Sequence, residues 1–264
     1  MKKNVMMRLA SFLLVAVLIS TSAISGTYAK YVTEASGRDT ARVAEWGVDS
    51  SVSGSLFKQS YANDGTVEKD KTNADITNTV VVKSNSADNL VAPGTANSDG
   101  ITFAITGTPE VAVNVNVQIT DGATRDVYLA DGEYLDWTTG NDKTDKFTLA
   151  TPTGSYRPIV YTLVNDESEE LAKGTLEDIE TYLEKTLSGN YAANTNLATI
   201  AGGATGTYKL TWAWDFEQAA NITLYDKADT LLGNLAAGKE TSVDTAAYNL
   251  SANVEFSITV TQID

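Results

Sequence analysis

In Val111-Ala112-Val113-Asn114-Val115-Asn116-Val117-Gln118-Ile119 every odd position is apolar and β-branched, and most even positions are polar. A period of two is the geometry of a strand, whose successive side chains point to opposite faces. The pattern returns at Ile101, Phe103 and Ile105, and at Tyr208, Leu210, Trp212, Trp214 and Phe216. It runs furthest near the end, where Leu250, Ala252, Val254, Phe256, Ile258 and Val260 alternate with Ser251, Asn253, Glu255, Ser257, Thr259 and Thr261. A slip of one residue would turn each apolar set to water, so these stretches specify their own register. The expectation is an all-β, antiparallel protein with one buried face per strand. Weaker strands are expected near 43–57, 79–83, 127–129, 147–149 and 159–163.

Turn chemistry separates the strands. Ala92-Pro93-Gly94 suits a tight turn, because proline presets φ and glycine tolerates positive φ. Asp121-Gly122 and Asp131-Gly132 are hairpin-type signals. Gly107-Thr108-Pro109 breaks the chain between 101–105 and 111–119, which makes those two strands candidates for neighbours. One helix is expected from Thr175 to Leu187. Thr175 can cap it with Asp178 as partner, and Leu176, Ile179, Leu183 and Leu187 form its apolar stripe. Gly189 stands where a left-handed cap is common. A second, short helix is expected over 226–232, ended by Gly233. The polar stretches 63–78, 138–145 and 191–206 read as excursions from one domain rather than as joints between two.

The first 29 residues have the layout of an export signal. Lys2, Lys3 and Arg8 precede an apolar run from Leu9 to Ile19, and small residues follow. That run is too short for a membrane span of ~20 residues, which disfavours an uncleaved anchor. Thr27 and Ala29 occupy the −3 and −1 positions of a cut between Ala29 and Lys30, with Tyr28 between them; a cut after Ala23 is the alternative. The expected organisation is therefore a signal peptide (1–29), an N-terminal segment (30–42) and a single β domain (43–264). Of the net charge of −15, +3 belongs to residues 1–29, so the mature chain carries −18. A surface this acidic argues against nucleic acid and against unaided binding to anionic lipid.

The chain has no cysteine and no histidine. Disulfides, thiol nucleophiles, His-containing triads and histidine zinc sites are thereby excluded. What remains for catalysis is carboxylate chemistry or a Ser–Lys arrangement, and no catalytic residue is assigned. Asp166, Glu167, Glu169 and Glu170 form an acidic run that reads as a solvated loop. Asp226 and Asp229, with Glu217 near in sequence, could offer hard oxygens to calcium, but the spacing matches no calcium loop. No cofactor is expected, calcium at that pair being the alternative. Asp136 beside Trp137 could mark a carbohydrate site, though one acid and one aromatic are thin grounds. Trp212 and Trp214 share a face with Leu210 and Phe216 and are read as core.

Several of these pieces together resemble the TasA/camelysin family of exported Gram-positive proteins, which includes fibre subunits of biofilm matrix. Gly26-Thr27-Tyr28-Ala29, with an aromatic at Tyr31, is similar to the family's cleavage region. Residues 38–48 resemble its first mature strand region. Asn89-Leu90-Val91-Ala92-Pro93-Gly94-Thr95, followed by Ile101 to Ile105, is similar to its pattern of a leucine, a Pro-Gly turn and a strand. Residues 208–217 and 226–233 look like motifs of clostridial-type relatives. The likeness touches both ends and the centre, while Ala44-Glu45-Trp46-Gly47-Val48-Asp49 departs from the family's usual strand ending.

The resemblance implies a jelly-roll-like β-sandwich with one or two short helices in its connections. It also implies cleavage by a dedicated signal peptidase, and export to the matrix or surface of a Gram-positive-type bacterium. Assembly would be by donor-strand complementation, with Tyr31, Val32 and Ala35 as contacts in a neighbour's groove. The partner would be a second copy or a related fibre subunit, with no membrane attachment after cleavage. The expected function is structural and non-enzymatic. A monomeric adhesin or carbohydrate-binding module is the alternative, and a camelysin-like protease stands behind both.

Overall fold

The computed structural model describes residues 11, 13, 14, 43–58, 60–62, 66–69, 75–78, 81–83, 89–119, 125–136, 145–151, 154–215 and 222–263, with the backbone alone over 60–83. The expected cleavage residues Thr27, Tyr28, Ala29 and Lys30, and the expected donor contacts Tyr31, Val32 and Ala35, lie outside the described residues. Two compact units are distinguished, Met1–Trp46 and Gly47–Asp264. In the first, Ser11, Leu13 and Leu14 are helical, and 43–46 has no regular structure. The second contains every strand described below.

β1 (Val48–Gly54) is followed by four short strands, β2 (Ser60–Ala62), β3 (Thr66–Lys69), β4 (Asp75–Asn78) and β5 (Val81–Lys83). Next come β6 (Thr95–Gly107), β7 (Val113–Ile119), β8 (Tyr128–Ala130), β9 (Gly132–Leu135), β10 (Lys146–Leu149), β11 (Ser155–Tyr156), β12 (Val160–Asn165) and β13 (Glu170–Gly174). A capped helix, Leu176–Tyr182, leads to β14 (Gly189–Tyr191) and β15 (Thr207–Trp214). A long helix, Ile222–Ala236, precedes β16 (Tyr248–Asn249) and β17 (Phe256–Gln262). The protein is mostly β, with antiparallel sheets.

The largest sheet has the order β1-β6-β15-β12-β13. Two three-stranded sheets, β14-β7-β17 and β11-β8-β16, accompany it, along with two-stranded pairs β9/β10, β2/β5 and β3/β4. The alternating residues bury as their period requires. Val113, Val115, Val117 and Ile119 of β7 are enclosed, as are Tyr208, Leu210, Trp212 and Trp214 of β15. Across the core, Phe103 of β6 meets Phe256 of β17 at 4.6 Å between ring centroids and stacks on Tyr208 at 5.1 Å. The first of these contacts sets the inner face of the five-stranded sheet against β17.

β6 is long because it changes course. Two extra residues stand against β15 between Leu210 and Trp212. Gly100 lies in this bulge at φ 58°, where a Cβ would come within 1.9 Å of the Leu210 carbonyl oxygen. Only glycine fits there.

The capped helix follows its sequence signal. Thr175 accepts from the Asp178 amide and the Asp178 carboxylate accepts from the Thr175 amide at 2.8 Å, which closes a capping box. Leu176, Ile179, Leu183 and Leu187 are all buried. The last turn widens to a π-helix over Leu183–Leu187, where the Ser188 amide donates to the Leu183 carbonyl. The Ser188 hydroxyl then accepts from the Val117 amide at 2.8 Å and donates to the Val117 carbonyl at 3.1 Å. The helix end is thus tied to β7. Gly189 supplies no left-handed cap, since it opens β14.

Other expectations are revised. The stretches 101–105 and 111–119 are not neighbours: β6 pairs with β1 and β15, while β7 pairs with β14 and β17. Sequence proximity favours hairpins, but here each strand serves a different sheet. The second helix is longer than expected and passes through Gly233 without ending. Its packing outweighs the ~1 kcal/mol cost of an interior glycine. Stretch 63–78 contains the hairpin β3/β4, and 191–206 contains a 3-10 segment at Leu197–Gly202. The apolar set Leu250, Ala252 and Val254 packs on the core without entering a ladder, so burial there is reached without strand pairing.

Candidate functional site

Two edge strands carry partly exposed apolar residues on their inner faces, and they belong to different sheets. β1 forms an edge of the five-stranded sheet and pairs with β6; β17 forms an edge of its sheet and pairs with β7. Among the described residues no strand covers the far side of either. The inner face of β1 is fixed by its register. Val48, Ser50 and Val52 stand opposite Gly107, Ile105 and Phe103 and share their face. Ile105 and Phe103 are buried, yet Val52 is 50% exposed and Ser50 is open to solvent. The same contrast marks β17. Phe256, Ile258 and Val260 oppose the buried Ile119, Val117 and Val115, but are themselves only partly covered.

Phe256 lies against Phe103 of β6, so β17 faces the second strand of the larger sheet rather than its edge. A strand added to the free edge of β17 or of β1 would extend that sheet. β1 and β17 each have seven residues, which sets the length such a strand would match. An exposed edge with apolar inward residues is a pairing template unless something covers it.

Charge bears on what could come there. Asp49 at the start of β1 is exposed, and Lys58, beyond the other end of β1, is paired with Asp99 at 2.5 Å. Residues 30–42 hold Lys30, Arg38 and Arg42 against Glu34 and Asp39, a net +1, while 43–264 carries −19. The segment is thus opposite in sign to the body.

The carboxylates singled out in the sequence are dispersed. Asp166 accepts from the amides of Ala204 and Thr205, and the Thr205 side chain first, then these amides, hold its carboxyl below the ordinary value. Asn165 accepts from the amides of Glu167 and Glu169, so the acidic run forms the turn between β12 and β13. Asp136 is buried and ion-paired with Lys227 at 2.6 Å, which ties β9 to the long helix and takes this acid out of any open carbohydrate surface. Trp137 lies outside the described residues. Trp214 is core, and its indole donates to Asp229. Trp212 is core as well, and its indole donates to the Leu56 carbonyl at 2.6 Å.

Asp126 had no signal beyond an isolated Asp, and Asp229, singled out only as a possible calcium ligand, is partly buried among side chains far from it in sequence. Asp126 is fully buried; its Oδ1 accepts from the Val127 amide at 2.9 Å and the Tyr161 hydroxyl at 3.1 Å. Burial pushes its carboxyl up to about 6, against the pull of Tyr161 and the Arg157 cation. Asp229 accepts from Tyr156 at 2.8 Å and Trp214 at 3.3 Å, and burial raises it to about 7. Asp226 and Asp229 do not join a third ligand: among the described residues no group of three acidic side chains gathers as a metal site. No helix among them is long and apolar enough to cross a membrane.

No family model matches this chain, and neither a curated protein nor a solved structure matches it.

Proposed function

We propose that this protein is an exported structural subunit that joins copies of itself, or a related subunit, into extracellular fibres. The observation that carries the reading is the pair of edge strands β1 and β17, uncovered among the described residues, with Val52 half exposed and Phe256, Ile258 and Val260 only partly buried. In this reading the body is a jelly-roll-like sandwich lacking one strand, and residues 30–42 of a neighbour supply it. Tyr31, Val32 and Ala35 are the proposed contacts, with Tyr31 and Ala35 spaced by four so that both face one side of an extended strand. Main-chain bonding to β17 gives affinity, and burial of the apolar flanks gives direction. The opposite charges of segment and body assist encounter and weaken with salt.

Cleavage after Ala29 would free the segment, which fits the export layout of residues 1–29. The protein would then act at the cell surface or in the surrounding matrix, without catalysis and without a cofactor. Electron microscopy of residues 30–264 over a concentration series tests this. Filaments are expected that disappear on deletion of 30–42, while the deleted protein stays folded. A peptide of residues 30–42 should bind the deleted protein. Normal filaments from the deletion would refute the donor-strand assignment.

A further inference from the structure

We propose that the cavity between the long helix and the 91–93 turn is a binding site for a primary alkylammonium group, as carried by a free alkylamine or a lysine side chain. The cavity measures about 130 Å³ and is walled by Val91, Pro93, Val127, Leu232 and Leu250. That is close to the ~150 Å³ apolar chamber that accepts a benzene-sized guest. Asp229 and Trp214 supply its polar contacts. An adjoining cavity of about 310 Å³ shares Pro93 and Asp229 and adds Asp226 and Thr230 at the outer side.

Among the described residues, both hydrogen bonds to Asp229 fall on Oδ1, from the Tyr156 hydroxyl and the Trp214 indole. Oδ2 therefore keeps its lone pairs for a guest. The two donors also hold the carboxyl in one orientation. Apolar walls of this size accept a short methylene chain. An ammonium at the open end meets Oδ2 in a charge-assisted hydrogen bond, with the Asp226 charge one turn away. An anion would be repelled by both acids, and a neutral guest would forgo the ionic contact.

The site has a pH signature. Tyr156 from β11, with Tyr225 stacked on it at 5.1 Å, and Asp226 on the helix are the ionisable groups facing Asp229. Asp229 titrates near 7, raised by burial and by Asp226 and lowered by its two hydrogen bonds. Below that pH an ammonium guest must displace a proton, so affinity falls about tenfold from pH 8 to pH 6.

The experiment titrates the full chain with n-pentylammonium and follows the Trp214 indole N–H by NMR. A saturable shift is expected, about tenfold weaker at pH 6 than at pH 8, with 1-pentanol at least tenfold weaker than the amine. Asp229→Asn keeps an acceptor for Tyr156 and Trp214 and should lose the amine preference. Gly233→Leu, at a cavity-lining position where an added Cβ meets nothing within 4 Å, should block binding without disturbing the fold. A lysine derivative blocked at its α-amino and carboxyl groups separates the sources: binding by it points to a side-chain guest, and binding by pentylammonium alone to a free amine. Equal binding of pentanol, unchanged binding by Asp229→Asn, or no saturable shift would overturn the proposal. The experiment is independent of filament formation, since it reads a saturable shift at the Trp214 indole rather than assembly.

Discussion

At the residue scale, two side chains illustrate what the alternating pattern conveys and what it leaves out. Trp212 reads as core in the sequence and is 2% exposed. Its indole donor, however, is satisfied by Leu56, a partner 156 residues away that no local pattern announces. Trp212→Phe keeps an aromatic ring but empties part of the site and removes one donor to the Leu56 carbonyl. A loss of about 1–3 kcal/mol is expected in urea unfolding, with the m-value unchanged. Asp126 gives a pH dependence. Its native carboxyl titrates near 6, above the ~3.9 of an unfolded chain, so between those values the native state binds the extra proton. Stability should therefore fall as pH rises from about 4 to about 6, and Asp229 extends the fall towards 7. In Asp126→Asn the slope over pH 4–6 should shrink, as measured by denaturant midpoints across that range.

At the scale of elements, the capped helix was the most legible piece. Thr175, Asp178 and the four leucine or isoleucine positions each do in the structure what their spacing implied. Thr175→Ala should cost about 1 kcal/mol, read from the thermal midpoint. Its ending was not legible, because the π-turn and Ser188 serve β7, whose Val117 lies 71 residues earlier. The bulge of β6 was equally hidden. Gly100 looks like any strand-interrupting glycine until the Leu210 carbonyl is found beside it. Gly100→Ala should destabilise by more than about 2 kcal/mol through a strained φ and a main-chain clash. Chemical unfolding of the variant measures this, and a change under about 0.5 kcal/mol would contradict the tight approach.

At the scale of the whole molecule, Val52 separates folding from assembly. It is half exposed, so Val52→Lys should leave the thermal midpoint of the 43–264 body within about 2 °C, in keeping with surface substitutions of under about 0.5 kcal/mol. The same change sets a charge against the incoming strand and should abolish filaments of residues 30–264, which sedimentation velocity would report as monomer. The sequence by itself determined the class of structure: period-two stretches can bury one face only as strands, and a chain without cysteine or histidine has no thiol or imidazole chemistry. It also determined which side chains face inward, because a register shift would expose every one of them. Tertiary structure alone decided which strands are partners. The separation of β6 from β7, the burial of Asp126, the partners of Asp229 and, among the described residues, the uncovered edges of β1 and β17 all follow from it. The physical reason is that alternation encodes a face, whereas partnership, a buried acid and an uncovered edge depend on residues far apart in the chain meeting in space.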